Sequence, residues 1–369
     1  MAQINVRVIV THVKPHLDEY AALWFLRKFG DRVFPGVSRA VIQYWNAGRA
    51  TPDGRSAAAW EADGYLLLAV GGSRFDEHPD ENGVRPSNEC CTTLVCRALG
   101  LDKSPVFERF INYVRANDVD GSSNYMDVAR TIKALHKTHS PEEVMRIAFV
   151  IFDAFLGQEA SFHGKTAMEY RNNAQVFKVM VGERELTIVT GRTDDPLFSK
   201  YARSSHGDQA AVVVQKKGNG QIMVLSDKRY ELDLREVAKV VRLSEQQARH
   251  RVLTRHWATL EQEGSVPGAE MWHFDARLQC LLNGSESAPD AEPTKLSLFE
   301  IRRAVEIGLD SKRFCPDFER TTCKKGLCVG RQCRWFDLGL NRCQAIRKEM
   351  RRIPAVPSET AMTAVAAVA

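Results

Sequence analysis

The chain has no apolar run long enough to span a bilayer. Its longest candidate, Ala148 to Leu156, is nine residues and carries Asp153, which excludes a membrane-spanning segment of the usual kind. The opening Met1-Ala2-Gln3-Ile4-Asn5-Val6-Arg7 lacks the charged-then-apolar order of a signal peptide, so a cytoplasmic location is expected. No internal repeat is present, which argues against a solenoid or propeller. Neither sign of charge dominates: a net charge of +5 tolerates a polyanionic partner without demanding one. What remains is ordinary for a soluble globular protein, with 44% hydrophobic and 26% charged residues, and 369 residues leave room for two or three cores. Nine cysteines in a reducing compartment point to metal or burial rather than disulfides.

Residues 1–156 alternate strand-like and helix-like segments. A β-branched strand, Val6 to Val10, is followed by a helix from Leu17 to Phe29, closed by Gly30 where a left-handed cap would fall. A second strand, Tyr65 to Val70, ends at Gly71-Gly72, and Ser87 precedes a helical pattern running to Leu99-Gly100. Ser104-Pro105 opens a helix to Ala116, and the capping box Ser140-Pro141-Glu142-Glu143 opens another to Leu156. The βα alternation predicts an α/β domain with a mostly parallel sheet. Residues 157–173 turn polar and read as a linker or connecting helix. Strands Val176–Val181 and Leu186–Thr190, a hairpin of Ala210–Gln215 and Ile222–Leu225, and a helix capped by Asp233 with Glu236 make 175–282 a smaller α+β domain. A loop at Asn283–Pro293 precedes a helix capped by Ser297 and Glu300; 294–352 then holds a basic, cysteine-rich module, and 353–369 reads as a disordered tail.

The most informative stretch is Thr11-His12-Val13-Lys14-Pro15-His16-Leu17-Asp18-Glu19. It places two imidazoles and two carboxylates where a buried strand hands over to a helix, the edge at which open α/β sheets bind ligands. Imidazole mixed with carboxylate suits Mn, Fe or Zn better than calcium, which prefers oxygen alone. Two further clusters follow in order: Asp76-Glu77-His78 after the glycine pair, and Asp118 with Asp120 after the helix expected to end near Ala116.

The succession His-x3-His-x-Asp, Gly-Gly-x3-Asp-x-His, Asp-x-Asp-Gly over the first 150 or so residues resembles the DHH phosphoesterase superfamily. Within it, Thr-His…His-x-Asp-Glu and Val-Gly-Gly…Arg-Phe-Asp-x-His are most similar to the Myg-type exonuclease branch. The resemblance implies a metal-dependent hydrolase with His12, His16 and Asp18 as the first ligand group. Asp76 and His78 would stand in the family's Asp-His-His word, with Glu77 in place of its central histidine, and Asp118 would be the last carboxylate ligand, with Asp120 competing for the role. One departure is notable: Ala69 stands where the family carries a carboxylate bridging two metals. Either Asp76 moves in, or one metal binds tightly, or the site is inactive. His78 or Glu77 would assist proton transfer to the leaving oxygen, and Arg74 or Lys14 would hold a phosphate oxygen. The chemistry requires such groups, because phosphate ester hydrolysis needs a nucleophile at neutral pH and cancellation of charge building on the phosphoryl oxygens.

The family's Gly-Gly-Gly-His word, which grips the substrate end, is absent from the second domain; Ser205-His206-Gly207 and Trp272-His273-Phe274-Asp275 are the nearest candidates, on a domain expected to close over substrate. Cys315, Cys323, Cys328, Cys333 and Cys343 are separated by x7, x4, x4 and x9, at the edge of the zinc pattern and within reach of an iron–sulfur cluster. Lys324, Lys325, Arg331 and Arg334 interleave with them beside Trp335-Phe336, a composition suited to phosphate contact and base stacking. Cys90, Cys91 and Cys96 read as inert core. The expectation is a Mn²⁺-dependent phosphodiesterase acting on single-stranded nucleic acid or a nucleotide, in its sharpest form a 3′-to-5′ exonuclease. The alternatives are a catalytically degenerate nucleic-acid-binding protein and a phosphatase for pyrophosphate or a dinucleotide.

Overall fold

The computed structural model describes residues 5–78, 88–252, 257–285 and 287–309. The cysteine-rich module, its cationic and aromatic neighbours, and the expected tail lie outside the described residues. The chain divides into two compact units, Met1–Gly164 and Lys165–Ala369.

In the first unit, β1 (Val8–His12), α1 (Leu17–Phe29), β2 (Val41–Trp45), α2 (Ala57–Ala62) and β3 (Tyr65–Leu67) are followed by α3 (Cys91–Leu99), α4 (Pro105–Val119), α5 (Val128–Leu135) and α6 (Pro141–Ser161). The three strands form an all-parallel sheet in the order β2-β1-β3, with Val8 opposite both Val41 and Tyr65, and His12 opposite Trp45. β1 is central and buried over its last four residues, as a parallel strand covered on both faces should be. The strand therefore runs two residues beyond the expected end at Val10 and carries Thr11 and His12 to the carboxyl edge. No sequence expectation covered β2, whose first residue is exposed and whose other four are half-buried at the sheet edge.

α1 is the hub. Every residue from Leu17 to Leu26 is buried, the pattern of a helix packed on all sides. Trp24 and Phe25 meet Phe107, Phe110 and Phe152 with ring centroids 5.3–6.0 Å apart. Burial of each such side chain stabilises by roughly 1.5–3 kcal/mol. Gly30 is not left-handed as expected but right-handed helical at φ −82°. Glycine is needed there because a Cβ would lie 2.4 Å from the Leu26 carbonyl oxygen and 2.7 Å from Val37.

Three helix boundaries differ from expectation because packing extends or trims the local signal. α3 begins at Cys91, later than a pattern following Ser87 implies, where Asp18 receives its first amides. α4 continues past Ala116 to Val119, since Val119 still packs on the core. α6 runs through Gly157 to Ser161, and a π-helical turn, Phe162–Thr166, continues it. Buried Glu159, which accepts from Arg109 at 3.2 Å, and buried Phe162 anchor this stretch, so of the linker or connecting helix expected here the structure has the helix.

In the second unit, α7 (Ala167–Asn173), β4 (Gln175–Val181), β5 (Arg184–Arg192), α8 (Phe198–Arg203), β6 (Val212–Lys216), β7 (Ile222–Ser226), α9 (Arg235–Ala248), α10 (Trp257–Leu260), β8 (His273–Asp275), β9 (Cys280–Leu282) and α11 (Leu298–Leu309) build a six-stranded mixed sheet. Its order is β4-β5-β6-β7-β9-β8, and only β5 and β6 run parallel. Residues of α9 and α11 share one apolar core with the strands. α9 starts one residue later than an Asp233 cap implies, with Leu234 at the cap and Asp233 Oδ1 accepting from the Arg235 amide at 2.9 Å; Leu234, 1% exposed, is held by the core. Fully buried Arg242 donates to the carbonyls of Leu260, Gln262, Gly264 and Trp272, tying down the loop between α10 and β8. Among the described residues no helix is long and apolar enough to cross a membrane.

Candidate metal centre

The end of β1 and the start of α1 bring the first group together. His12, 8% exposed, is hydrogen-bonded through Nε2 to Glu19 Oε1 at 2.7 Å. The other Glu19 oxygen accepts from the His16 backbone amide at 2.7 Å, which is the N3 half of a capping box. The His12 and His16 rings meet edge-on with centroids 5.0 Å apart. His12, His16 and Glu19 each offer a ligand atom within 4.8 Å of the others. His16 is exposed, yet partial desolvation by the surrounding groups holds its imidazole below its ordinary range, which favours the neutral form that ligates metals. Burial would raise the Glu19 carboxyl, but the His12 hydrogen bond and the two imidazoles outweigh it and keep the acid ionised. Glu19 was part of the informative run but was not singled out; its signal was the N3 position, three residues after the cap.

Asp18 takes a different direction. Its oxygens accept from the amides of Cys91 at 2.7 Å and Thr92 at 2.8 Å, so it caps the first turn of α3 from another helix. It falls into a second group, Asp18, Glu77 and Cys91, all buried and again within 4.8 Å. A third group, Asp76, Glu77 and His78, shares Glu77 with the second. Two buried carboxylates side by side resist ionising together. Desolvation first, then the charge of Asp18, pushes Glu77 up to about 8; desolvation, then the charges of Glu19 and Asp118, pushes Asp18 up to about 7. Because Asp18 keeps two amide donors and Glu77 Oε2 has no hydrogen-bond partner among the described residues, Glu77 is the one left in need of a proton or a cation. The buried Thr11 hydroxyl at the end of β1 is also without a partner.

The turn after β3 sets this geometry. Ala69 adopts φ 53° and the two glycines φ 71° and 63°; the Ala69 amide then donates to the Phe75 carbonyl at 3.0 Å. Asp76 receives the Gly72 amide at 2.8 Å and bonds His78 Nδ1 at 2.8 Å. The hydrogen bond to Asp76 raises His78 to about 9. Burial alone would raise Asp76, but His78 and the Gly72 amide hold it below its usual range.

The remaining candidates are placed as follows. Arg74 forms two contacts with Glu61, one of them Nε to Oε1 at 3.1 Å. Lys14 is exposed. Asp118 sits in the last turn of α4, close enough to act on the charge of His16 and Asp18. Asp120 is the exposed C-cap of that helix. Cys91 is buried core, as expected, but its sulfur faces Asp18 and Glu77, and burial with those acids pushes the thiol well up. In the second unit His206 lies on an exposed turn, and Trp272 is core, donating through Nε1 to buried Glu245 at 3.0 Å.

No family model matches the chain, and no curated protein does. Among solved structures, an uncharacterized protein from Helicobacter pylori G27 aligns over 82% of this chain and 98% of its own at 11% identity, with a TM-score of 0.21. A DHH-domain member of the s1p family of ribosomal proteins aligns over 81% of this chain and 85% of its own at 10% identity, with a TM-score of 0.25. Likeness at this level carries no weight for fold or activity, and the donor set stands on its own. Acidic and imidazole groups at the carboxyl edge of a parallel sheet, one acid buried with an unpartnered oxygen, fit a divalent metal ion.

Proposed function

We propose that the first unit is a divalent-metal-dependent phosphoesterase acting on phosphodiester bonds of a nucleic acid or nucleotide, in its most specific form a 3′-to-5′ exonuclease on single strands. The observation that carries this reading is Glu77: a buried carboxylate, one oxygen unpartnered among the described residues, shared by two clusters of groups able to ligate a metal. It supplies the acid that Ala69 does not. His12, His16 and Glu19 would hold one cation, and Glu77 with Asp18 or Asp76 would hold another or the same one; mixed nitrogen and oxygen donors favour Mn²⁺. When bound, such a cation lowers the pKa of water and neutralises charge on the phosphoryl oxygens. The chain's own groups do the rest. Glu19 fixes the orientation of His12, and Asp76 keeps His78 protonated, ready to donate to a leaving oxygen.

A second reading, a nucleic-acid binder with a degenerate centre, draws on Asp18, whose two oxygens are already committed to α3. Elemental analysis after Mn²⁺ loading, together with turnover of labelled single strands, pyrophosphate and a cyclic dinucleotide, separates the readings. The phosphoesterase reading expects stoichiometric metal and a loss of about a hundredfold or more in turnover for Glu77→Gln, by the scale of removing one group that stabilises developing charge. Metal-loaded wild type that turns over none of the three sinks it. Turnover of pyrophosphate or the dinucleotide alone assigns a small-molecule phosphatase.

A further inference from the structure

We infer that the second unit carries its own binding site for single-stranded nucleic acid, in the groove where the open edge of the sheet passes the first turns of α11. The groove has a volume of about 400 Å³ and is lined by Gln175 and Phe177 of β4, Thr190 and Arg192 of β5, and Leu298, Phe299 and Arg302 of α11. That volume lies within the range of small-ligand sites. Its walls follow from the register: Gln175 pairs with Thr190, and alternation puts Phe177 and Arg192 on the same face as that pair.

Planar groups dominate the groove. The Arg302 guanidinium lies 4.1 Å from the Phe177 ring centroid and 5.2 Å from that of Phe299. Glu306, 3.5 Å from Arg302 Nε, helps to hold that guanidinium in place. Phe299 is 63% exposed on the helix. An exposed ring beside a fixed guanidinium plane is a platform on which an unpaired base stacks.

Charge selects the occupant. None of the seven lining residues is acidic, Arg192 is exposed, and the nearby Glu300 carboxylate turns back to the Ser297 amide and hydroxyl at 2.8 Å. Residues 310–369 of this chain carry twelve lysines and arginines against six acids, so like charge opposes their seating here. A second copy would bring the same cationic walls. A polyanion with flat rings suits both features: bases for Phe299 and Arg302, a phosphate for Arg192.

The inference rests on the phosphoesterase reading only for the purpose of the bound strand, and the test separates the two. Binding of a fluorescent single-stranded oligonucleotide to the full chain is measured by anisotropy in chelator, across a salt series. Phe299→Ala is expected to weaken binding about tenfold, the scale of losing one stacked base, with Phe299→Trp restoring it. Arg192→Ala is expected to weaken binding and to reduce the slope of log affinity against log salt by about one, the signature of one lost phosphate contact. Phe155→Ala, at an exposed ring of the first unit, serves as the control and leaves binding unchanged. Wild-type affinity and slope in both Phe299→Ala and Arg192→Ala overturn the site, as does a wild-type chain that binds no strand at low salt. Metal-dependent hydrolysis of a small phosphodiester is scored separately: its failure beside groove-dependent binding removes the enzyme and keeps the site.

Discussion

At the scale of single residues, two acids that look alike in the sequence do different work. Asp18 commits both oxygens to two amides at the start of α3, capping that helix from a neighbouring one. Removing it should therefore cost stability whether or not a metal is present. Asp18→Ala is expected to lose about 1–2 kcal/mol, the scale of a helix cap, and Asp18→Asn less, read as midpoint shifts in chelator-treated urea melts. Glu77 is the opposite case, since one of its carboxylate oxygens lacks a donor among the described residues. Glu77→Gln is expected to leave metal-free stability at neutral pH equal or higher while lowering metal stoichiometry. A variant that loses stability yet still loads the full complement of metal would place Glu77 in the framework instead.

At the scale of elements, close approach decides more than propensity. Gly308 of α11 sits against α9 so tightly that a Cβ would lie 2.4 Å from the Val237 nitrogen and 2.5 Å from its Cα. Rigid backbone cannot yield as a side chain end can, so Gly308→Ala is expected to destabilise the second unit by about 1–3 kcal/mol. Hydrogen exchange in α9 and β6 would report it, and unchanged protection there would refute the crossing. The same reasoning explains Gly30, which ends α1 as a residue in close contact with Val37 rather than as a left-handed cap.

At the scale of the whole molecule, the acid pair links folding to pH and to metal. Asp18 and Glu77 hold protons more tightly folded than unfolded, with folded values of about 7 and 8. Between the unfolded carboxylate range and those values the native state binds more protons, so metal-free stability falls as pH rises from about 5 to 8. Each group that titrates this way contributes at most roughly 1.4 kcal/mol per pH unit. A divalent cation replaces the proton, so Mn²⁺ should raise the melting temperature more at pH 8 than at pH 5. A metal-induced shift that is equal at both values, measured by calorimetry, would count against ligation by this pair.

Much of this was legible from the residues. β-branched runs, Ser-x-x-Glu boxes and Ser-Pro starts are local signals, and they marked the beginnings of α1, α6 and α11 and the β4–β5 and β6–β7 hairpins nearly to the residue. They also marked the two neighbourhoods that supply His12 and His16, and Asp76, Glu77 and His78. Local signals could not show that β2 pairs beside β1, that α4 and α6 run on past polar residues, or that a groove with an aromatic and cationic lining opens beside α11. Nor could they choose Glu19 over Asp18 as the companion of the two histidines, because adjacent helix positions differ by about 100° in direction and only the arrival of α3, 73 residues away along the chain, claims one of them. Which kinds of donor reach the sheet edge follows from the local run of residues; which of them face one another follows from packing, since burial and the distance between charges exist only once distant segments have met.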